Sequence, residues 1–483
     1  MAEQLTKNRK SEVMAELREI VGRGNVSDSE VVRESYKYLP FSGITWRIAN
    51  AFVVLPQSTQ QVADIVKLAN RHQIPVSPRG GCGWGGFKGG ILIDLTLMNR
   101  ILRIDVENAK AITEAGCSVF KLAYELFKEG LMIPTTEYGP APTVGASVQN
   151  PTVAFGKTRY GQNCELADGL ELVLPSGDVA RVGSLAYEDT EYGPYSRLIT
   201  GPDLVGLFIK HGGALGIITR VAYRCLRKPE KFGFYSYYWP RSECQALTQA
   251  TRELVLREIF DVHINDRWKT QALEDSGAIP ALPEDAWFLL FLIVTAESDE
   301  ELAAKEKWTR DICHRFGGRD LEYNIWKLHW DWPTYFSPSG HPLTAEIVKR
   351  SDYGFFYVPD SFYYPLSRFP EVYDIQESLA KKYEFWQKDR QFVLDAFVTK
   401  DLVMCSQVWT FIDPYDPEMR KAMGRYHFES ENIFGAKGGT WQNMFPPFVP
   451  DWAWKNQPEA HELVKEIKRL LDPNNIMMPG NIY

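Results

Sequence analysis

The sequence predicts an α+β protein of two domains, and three observations carry that expectation. At 483 residues the chain exceeds the size at which one hydrophobic core stops growing. Its first part alternates short β-branched runs with amphipathic helices around glycine-rich turns. Near Lys228-Pro229-Glu230-Lys231 the character shifts. From there to about Pro450 the chain holds most of its tryptophans and tyrosines.

Taken in order, Lys10 to Gly22 places Val13, Met14, Leu17, Ile20 and Val21 at helical spacing, ended by Gly24-Asn25-Val26-Ser27-Asp28. Ala51 to Leu55 is a strand closed by Pro56. Ser58 with Gln61 predicts a capping box for a helix through His72, with Val62, Ile65, Val66 and Ala69 as its apolar stripe. A Pro-flanked strand then leads into Pro78-Arg79-Gly80-Gly81-Cys82-Gly83-Trp84-Gly85-Gly86-Phe87-Lys88-Gly89-Gly90. Its seven glycines let the backbone take positive φ and turn N–H groups inward, a concave site for a phosphate or pyrophosphate, with Arg79 or Lys88 to reinforce it. A loop that only turns the chain would use the same residues.

The run Gly81-Cys82-Gly83-Trp84-Gly85-Gly86 fits GxGxxG literally, but Ile91-Leu92-Ile93-Asp94-Leu95 follows where a dinucleotide fold needs a helix. The loop joins two strands, so the Rossmann reading fails, and without a GK[ST] end so does a Walker loop.

Ile101–Asp105 and Ala111–Gly116 read as strands, and a helix from about Ser118 ends at Gly130. A second loop, Pro134 to Pro151, is rich in glycine, proline, hydroxyls and amides suited to a polar ligand. Leu170–Leu174 and Val179–Val182 form a hairpin through Pro175-Ser176-Gly177-Asp178. Leu204–Ile209 is helical, and Gly212 to Thr219 turns from loop into strand. Beyond 228 come the strand Ala286–Ile293 and a charged helix from about Asp299 to Phe316. Glu459–Leu471 is an amphipathic helix stopped by Asp472-Pro473-Asn474-Asn475, and the tail at Met478-Pro479-Gly480-Asn481 is expected to return to the first domain.

With 54 basic against 62 acidic residues the net charge is −8, which argues against nucleic acid or an anionic membrane as partner. Seven scattered cysteines show neither disulfide nor zinc spacing. No apolar run is long enough to span a bilayer, and the first 25 residues lack a secretory apolar region. A reduced, cytoplasmic setting is expected.

Six stretches then resemble the vanillyl-alcohol oxidase / p-cresol methylhydroxylase family of FAD-linked oxidoreductases: PVSPRGGCGWGG at 75–86 with ILIDLTLMNRIL at 91–102, PTVGASVQN at 142–150, ADGLELVLPSGDVARVG at 167–183, DLVGLFIKHGGALGIITRVAYR at 203–224, and LDPNNIMMPGNI at 471–482. The resemblance implies a two-part PCMH-type FAD-binding domain over 1–228, an α+β cap or substrate domain over 229–452, and a segment over 453–483 returning to the FAD domain. It implies that Pro78, Arg79, Gly80, Gly81, Cys82, Gly83 and Trp84 cradle the pyrophosphate through backbone N–H groups. Pro142, Thr143, Gly145, Ala146, Ser147 and Asn150 would line the flavin and its phosphates, and Ile217 and Ile218 the adenine half. A homodimer is implied too.

The departures are as informative. Cys82 stands where covalent relatives often carry histidine, Ala141 where doubly linked ones carry cysteine, and Cys405 and Ser406 where a cap attachment would fall. Non-covalent FAD is therefore expected, although a cysteinyl bond at Cys82 stays open. Neither the Glu-His-Gly of the 2-hydroxy-acid dehydrogenases nor the Tyr-Arg with Thr-His of the phenol oxidisers is present; Gly438-Gly439-Thr440-Trp441 aligns with the latter.

Hydride removal beside a hydroxyl needs a group that takes the hydroxyl proton, usually histidine or tyrosine. His427, Tyr138, Tyr160 and Trp441 are the candidates, His427 in the cap segment expected near the flavin; His211 precedes the Gly212-Gly213 turn. The rings of the cap, Trp326, Trp330, Trp332, Tyr335, Phe336, Phe362, Tyr363 and Trp409 among them, favour an aromatic or apolar alcohol, with Asp360, Arg390, Asp395 and Arg425 as anchors. Three readings follow: an FAD-dependent alcohol oxidoreductase, a 2-hydroxy-acid dehydrogenase subunit with an electron-acceptor protein, and a non-catalytic flavin relay.

Overall fold

Short β-branched runs cannot bury themselves, so they pair into sheets whose apolar faces meet the amphipathic helices. A computed structural model of the chain describes residues 7–36, 50–81, 90–135, 142–150, 155–193, 196–198, 200–268, 274, 280–324, 356–383, 393–411, 416–441 and 454–480; for 7, 50, 356–360, 393, 395, 409–411, 420 and 441 it describes the backbone alone. The fold is two-domain α+β.

In the first half, Asn50–Val54, Gly90–Asp94 and Val76–Arg79 lie side by side in parallel, with Val26–Ser27 antiparallel on the outer edge. The helix Lys7–Val21 and the capped helix Thr59–His72 contribute to the core that these strands share. Ser58 Oγ accepts from Gln61 N, as its spacing predicts. The return bond differs: Gln61 Oε1 accepts from Gln57 N at 2.7 Å.

A second sheet runs, in spatial order, Ile101–Asp105, Lys110–Glu114, Ile217–Arg224, Ala167–Val173 and Val179–Gly183, all antiparallel. The expected hairpin at 175–178 joins the last two. The stretch read as one loop from 134 to 151 contains a short helix, Val144–Gln149, because Thr143 Oγ1 accepts from Ala146 N and starts it.

The second half is built on a sheet of eight strands among the described residues: Arg319–Asp320, Lys231–Trp239, Phe288–Ala296, Asp261–Asp266, Val393–Val398, Val403–Phe411, Phe356–Pro365 and Thr440–Trp441. Alternation along the strands separates its faces. Val262, Ile264, Leu394, Ala396, Val408 and Phe362 share a core with the helices Cys244–Val255, Asp299–Arg315, Phe369–Lys382 and Pro417–Ala436. The other face turns to the first half.

The tail crosses back. Val76 N donates to Ile476 O at 2.8 Å and Met478 N to Val76 O at 3.0 Å, which adds residue 477 beside the edge strand Val76–Arg79. Asp472 fixes this turn by accepting from Ile476 N and Met477 N. The buried Lys468 pairs with Asp472 and donates to Met477 O and to Ala214 O, at 2.7 and 2.9 Å. Val464, Ile467 and Leu471 of the last helix pack on the first-half core.

Candidate functional site

Three turns far apart in the chain converge. A Cβ at Gly80 would lie 2.3 Å from Thr143 Oγ1 and 2.8 Å from Ala146 Cβ, so the first glycine stretch touches the start of the Val144–Gln149 helix. A Cβ at Gly213 would lie 2.6 Å from Pro78 Cγ and 3.3 Å from Met478 Cγ. Gly213 has φ +82°, which only glycine adopts without strain.

Gln149 ties the second turn to the third: its Oε1 accepts from His211 N and Gly212 N, and its Nε2 donates to Phe208 O. The buried His211 ring takes Leu215 N–H on Nδ1. Burial first, and the Lys468 ammonium second, lower its pKa to about 3.

Among the residues expected at the cofactor, Pro142, Thr143, Gly145, Ala146, Ser147 and Asn150 sit in or beside this short helix, and Gly145 N donates to Ala115 O at 2.8 Å. Arg79 is engaged with Tyr36: its guanidinium stacks on that ring at 4.7 Å and donates to Tyr36 O at 3.1 Å. Ile217 and Ile218 are buried in the first-half core. Gly81 closes the described part of the first stretch, and Cys82, Gly83, Trp84, Lys88, Tyr138 and Ala141 lie outside the described residues.

The face of the large sheet that meets the first half carries polar side chains in register. His263 pairs with Phe397, Phe397 with Cys405, and Cys405 with Tyr363, so these four share one row. The next row on that face includes Asn265, Gln407 and Ser361, all buried.

Opposite these rows stand residues of the first half. Lys157 Nζ is 2.9 Å from Asp261 Oδ1 and 3.0 Å from His263 Nε2, and lies over the Phe397 ring at 4.7 Å. Gly156 N also donates to Asp261, at 2.9 Å. Burial alone would raise the Asp261 pKa; the charges of Lys157 and His263 and their hydrogen bonds outweigh it and hold it at about 2. Gln162 Nε2 donates to Tyr363 Oη at 3.0 Å, and Lys210 Nζ sits 5.8 Å from the centre of that ring.

Three of the candidates for proton handling, His427, Tyr160 and Trp441, lie among the described residues. His427 is paired with Glu431 at 3.1 Å on the helix Pro417–Ala436. That helix packs through Met419, Met423, Tyr426 and Phe434 on the sheet face away from the first half. Tyr160 packs edge-on against Phe260 at 6.1 Å, and burial raises its pKa. Trp441 is placed by its backbone pairing with Phe362.

Of the cap rings, Phe362 belongs to the helix-covered core, and Trp326, Trp330, Trp332, Tyr335 and Phe336 lie outside the described residues, as does Arg390. Arg425 is exposed. Of the residues facing one another here, Tyr363 is one of the cap rings singled out from the sequence, whereas Lys157, Gln162, Lys210 and His263 are not. The one available signal was the alternation Asp261-Val262-His263-Ile264-Asn265, polar on one face of a strand that is buried on both.

Comparison with known proteins agrees with this geometry. The family model described as FAD binding domain matches residues 50–183, and that described as FAD linked oxidases, C-terminal domain, matches residues 450–482. The chain is 24% identical over 448 residues to the mitochondrial D-lactate dehydrogenase [cytochrome] of Arabidopsis thaliana, covering 89% of this chain and 73% of that one. It is 28% identical over 290 residues to the glycolate oxidase subunit GlcD of Bacillus subtilis, and this match spans only 58% of each chain. By structure it is similar to p-cresol methylhydroxylase with substrate bound (TM-score 0.83, 19% identity, 99% of this chain and 98% of that one). It is likewise similar to the 4-ethylphenol oxidase of Gulosibacter chungangensis (TM-score 0.82, 19% identity, the same coverage). These two likenesses establish the fold.

The residues present fit a polar, phosphate-bearing cofactor. Ser147 Oγ, Thr135 Oγ1 and both amide atoms of Asn163 are buried with no hydrogen-bond partner among the described residues. The turn Asn163–Leu166 packs on the Val144–Gln149 helix. Leaving such groups unpaired costs about 1–3 kcal/mol each, a cost that a bound polar ligand removes. Among the described residues no cluster of metal-ligating side chains occurs, and no helix is long and apolar enough to cross a membrane.

Proposed function

We propose the following activity for this chain, which belongs to the p-cresol methylhydroxylase-type family of FAD-linked oxidoreductases: it oxidises an alcohol at the carbon bearing the hydroxyl and passes the electron pair on to an acceptor. The observation that carries this reading is the polar face of the large sheet, whose Tyr363 hydroxyl is held by Gln162 opposite the convergent turns. Pockets for small ligands are mostly apolar with a few placed polar groups, and the Tyr363 hydroxyl on this ring-bearing face is such a group for a substrate hydroxyl.

In this reading 1–228 is the FAD domain, 229–452 the cap and 453–483 the returning segment. Pro78 leads into the turn and backbone N–H groups of 79–84 cradle the diphosphate, Pro142 to Ser147 and Asn150 follow the rest of the cofactor, and Ile217 and Ile218 back its adenine half. When bound, FAD supplies a two-electron acceptor for the hydride of the substrate carbon. Tyr363 Oη hydrogen-bonds the substrate hydroxyl and so positions it, while Gln162 Nε2, which donates to the same oxygen, fixes the direction of the remaining Tyr363 lone pair. Lys157 and Asp261 keep His263 and Phe397 in place behind the site and exclude water. Non-covalent attachment, a homodimer, a cytoplasmic location and an electron-acceptor protein complete the proposal.

The test is an anaerobic screen of aromatic alcohols, 2-hydroxy acids and phenols for bleaching of the flavin absorbance. Bleaching by one class assigns the substrate. No bleaching except by a partner protein overturns the reading and leaves an electron relay. A second reading, oxidation of a 2-hydroxy acid, is favoured by the likeness to the D-lactate dehydrogenase and to the glycolate oxidase subunit.

A further inference from the structure

The turn that holds Gln162 on Tyr363 is fixed from outside the site. Gln162 N donates to Glu165 Oε1 at 2.8 Å, and Glu165 N donates back to Gln162 O at 3.0 Å, so the two residues close a reciprocal turn at the start of Asn163–Leu166. Gly161 makes room for it. Its φ is +82°, and a Cβ there would lie 2.3 Å from Glu165 Oε1, so only glycine lets the carboxylate fold back over the chain.

The second carboxylate oxygen reaches the other half of the molecule. Glu165 Oε2 accepts from Lys400 Nζ, on the turn between the strands Val393–Val398 and Val403–Phe411. Thr158 Oγ1 donates to Val398 O at 2.7 Å, where that turn begins. The segment from Thr158 to Glu165 thus grips the turn at two points. The strands that leave the turn carry Phe397 and Cys405, and Cys405 is the cross-strand partner of Tyr363. One carboxylate is therefore tied to both partners of the Gln162–Tyr363 hydrogen bond, to Gln162 through its backbone and to Tyr363 through the turn and its sheet register.

Stability does not account for this bridge, because Glu165 and Lys400 are both exposed and an exposed ion pair adds little to it. Position does. A flexible amide keeps its direction toward a hydroxyl only when its own backbone is fixed relative to the strand that carries that hydroxyl. We infer that Glu165 is a positioning residue for the oxidation given above: by bridging the Gln162 N–H and the Lys400 ammonium it sets the Gln162 carboxamide on Tyr363, and so the place at which Tyr363 holds the substrate hydroxyl. The consequence for turnover rests on that reading of the function, whereas the bridge itself is read without substrate.

The experiment incorporates fluorotyrosine in place of Tyr363 in the full holoprotein and follows its fluorine resonance. Gln162→Leu sets the scale of the change. Glu165→Ala and Lys400→Met are each expected to move the resonance the same way, by about half as far or more. Lys382→Met, which breaks an exposed ion pair to Glu429 of the same kind, is expected to leave it in place. Lys400→Met alone carries this arm if Glu165→Ala does not fold. With an alcohol that bleaches the flavin, Glu165→Ala should lower kcat/KM roughly 10-fold, at parental FAD affinity and urea midpoint, and by less than about twofold in a Tyr363→Phe background. A loss of equal size in that background would mark a merely structural role and overturn the inference. So would a resonance that stays at the parental position in both Glu165→Ala and Lys400→Met. If no alcohol bleaches the flavin, the proposed function fails while the resonance still decides the bridge, so the two failures are distinct.

Discussion

Lys157 Nζ lies 2.9 Å from Asp261 Oδ1, both side chains essentially without solvent contact, and this pair joins the first half of the molecule to the large sheet of the second. Removing one partner from such a pair is costlier than the pair itself is stabilising. Lys157→Met should lower stability by about 3–5 kcal/mol in urea unfolding. The pH dependence follows from the same contact. Asp261 titrates near 2 in the folded chain, below its value of about 3.9 when unfolded, so its contribution is complete above about pH 4 and is lost as pH falls toward 2. An acid-unfolding midpoint unchanged in Lys157→Met would contradict this account.

His211 gives a second, separable pH signature. Its ring, depressed to about 3, stays neutral in the fold, while the unfolded chain protonates it near 6.5. Its effect on stability is therefore nil above pH 6.5 and destabilising below, with a slope of about 1.4 kcal/mol per pH unit. Between pH 7 and 5 the parent should lose roughly 2 kcal/mol more stability than His211→Gln, read from urea midpoints at the two values.

Gly80 touches Thr143 and Ala146 with no room for a methyl group. Gly80→Ala should force the two turns apart and weaken FAD uptake roughly 10-fold or more, while far-UV circular dichroism stays that of the parent. Uptake equal to the parent would show that the contact does not shape the cofactor site.

Tyr363 and His427 lie on opposite faces of one sheet, which makes them a paired test. Tyr363→Phe should slow anaerobic flavin reduction by roughly 100-fold with FAD affinity unchanged, and His427→Gln should alter it by less than about threefold. The reverse ranking would return the catalytic role to the helix.

Acid precipitation separates the two modes of cofactor attachment. The yellow colour is expected in the supernatant. Colour retained by the pellet, and lost in Cys82→Ala, would assign a cysteinyl bond.

The local elements were legible because their causes are local. Ser58 capping the Thr59–His72 helix, the turn at Pro175–Asp178 and the amphipathic stripe of Pro458–Leu471 each depend on residues within one or two turns of chain. The glycines of 80–90 likewise announced a loop between two strands. The short helix after Thr143 was hidden because glycine and serine at 145 and 147 read as loop, and it is the tertiary contact of Gly145 N with Ala115 O that holds it.

By itself, then, the sequence determined the two-half α+β organisation, the glycine turns and the return of the tail, all set by spacing, capping and backbone freedom. Only the tertiary structure decided which side chains meet. The registers that align His263, Phe397, Cys405 and Tyr363, and the docking that brings Lys157, Gln162 and Lys210 to that row, join residues up to 240 positions apart, as Thr158 and Val398 are. Such juxtapositions arise from burial of whole sheet faces, and no short stretch of chain encodes them.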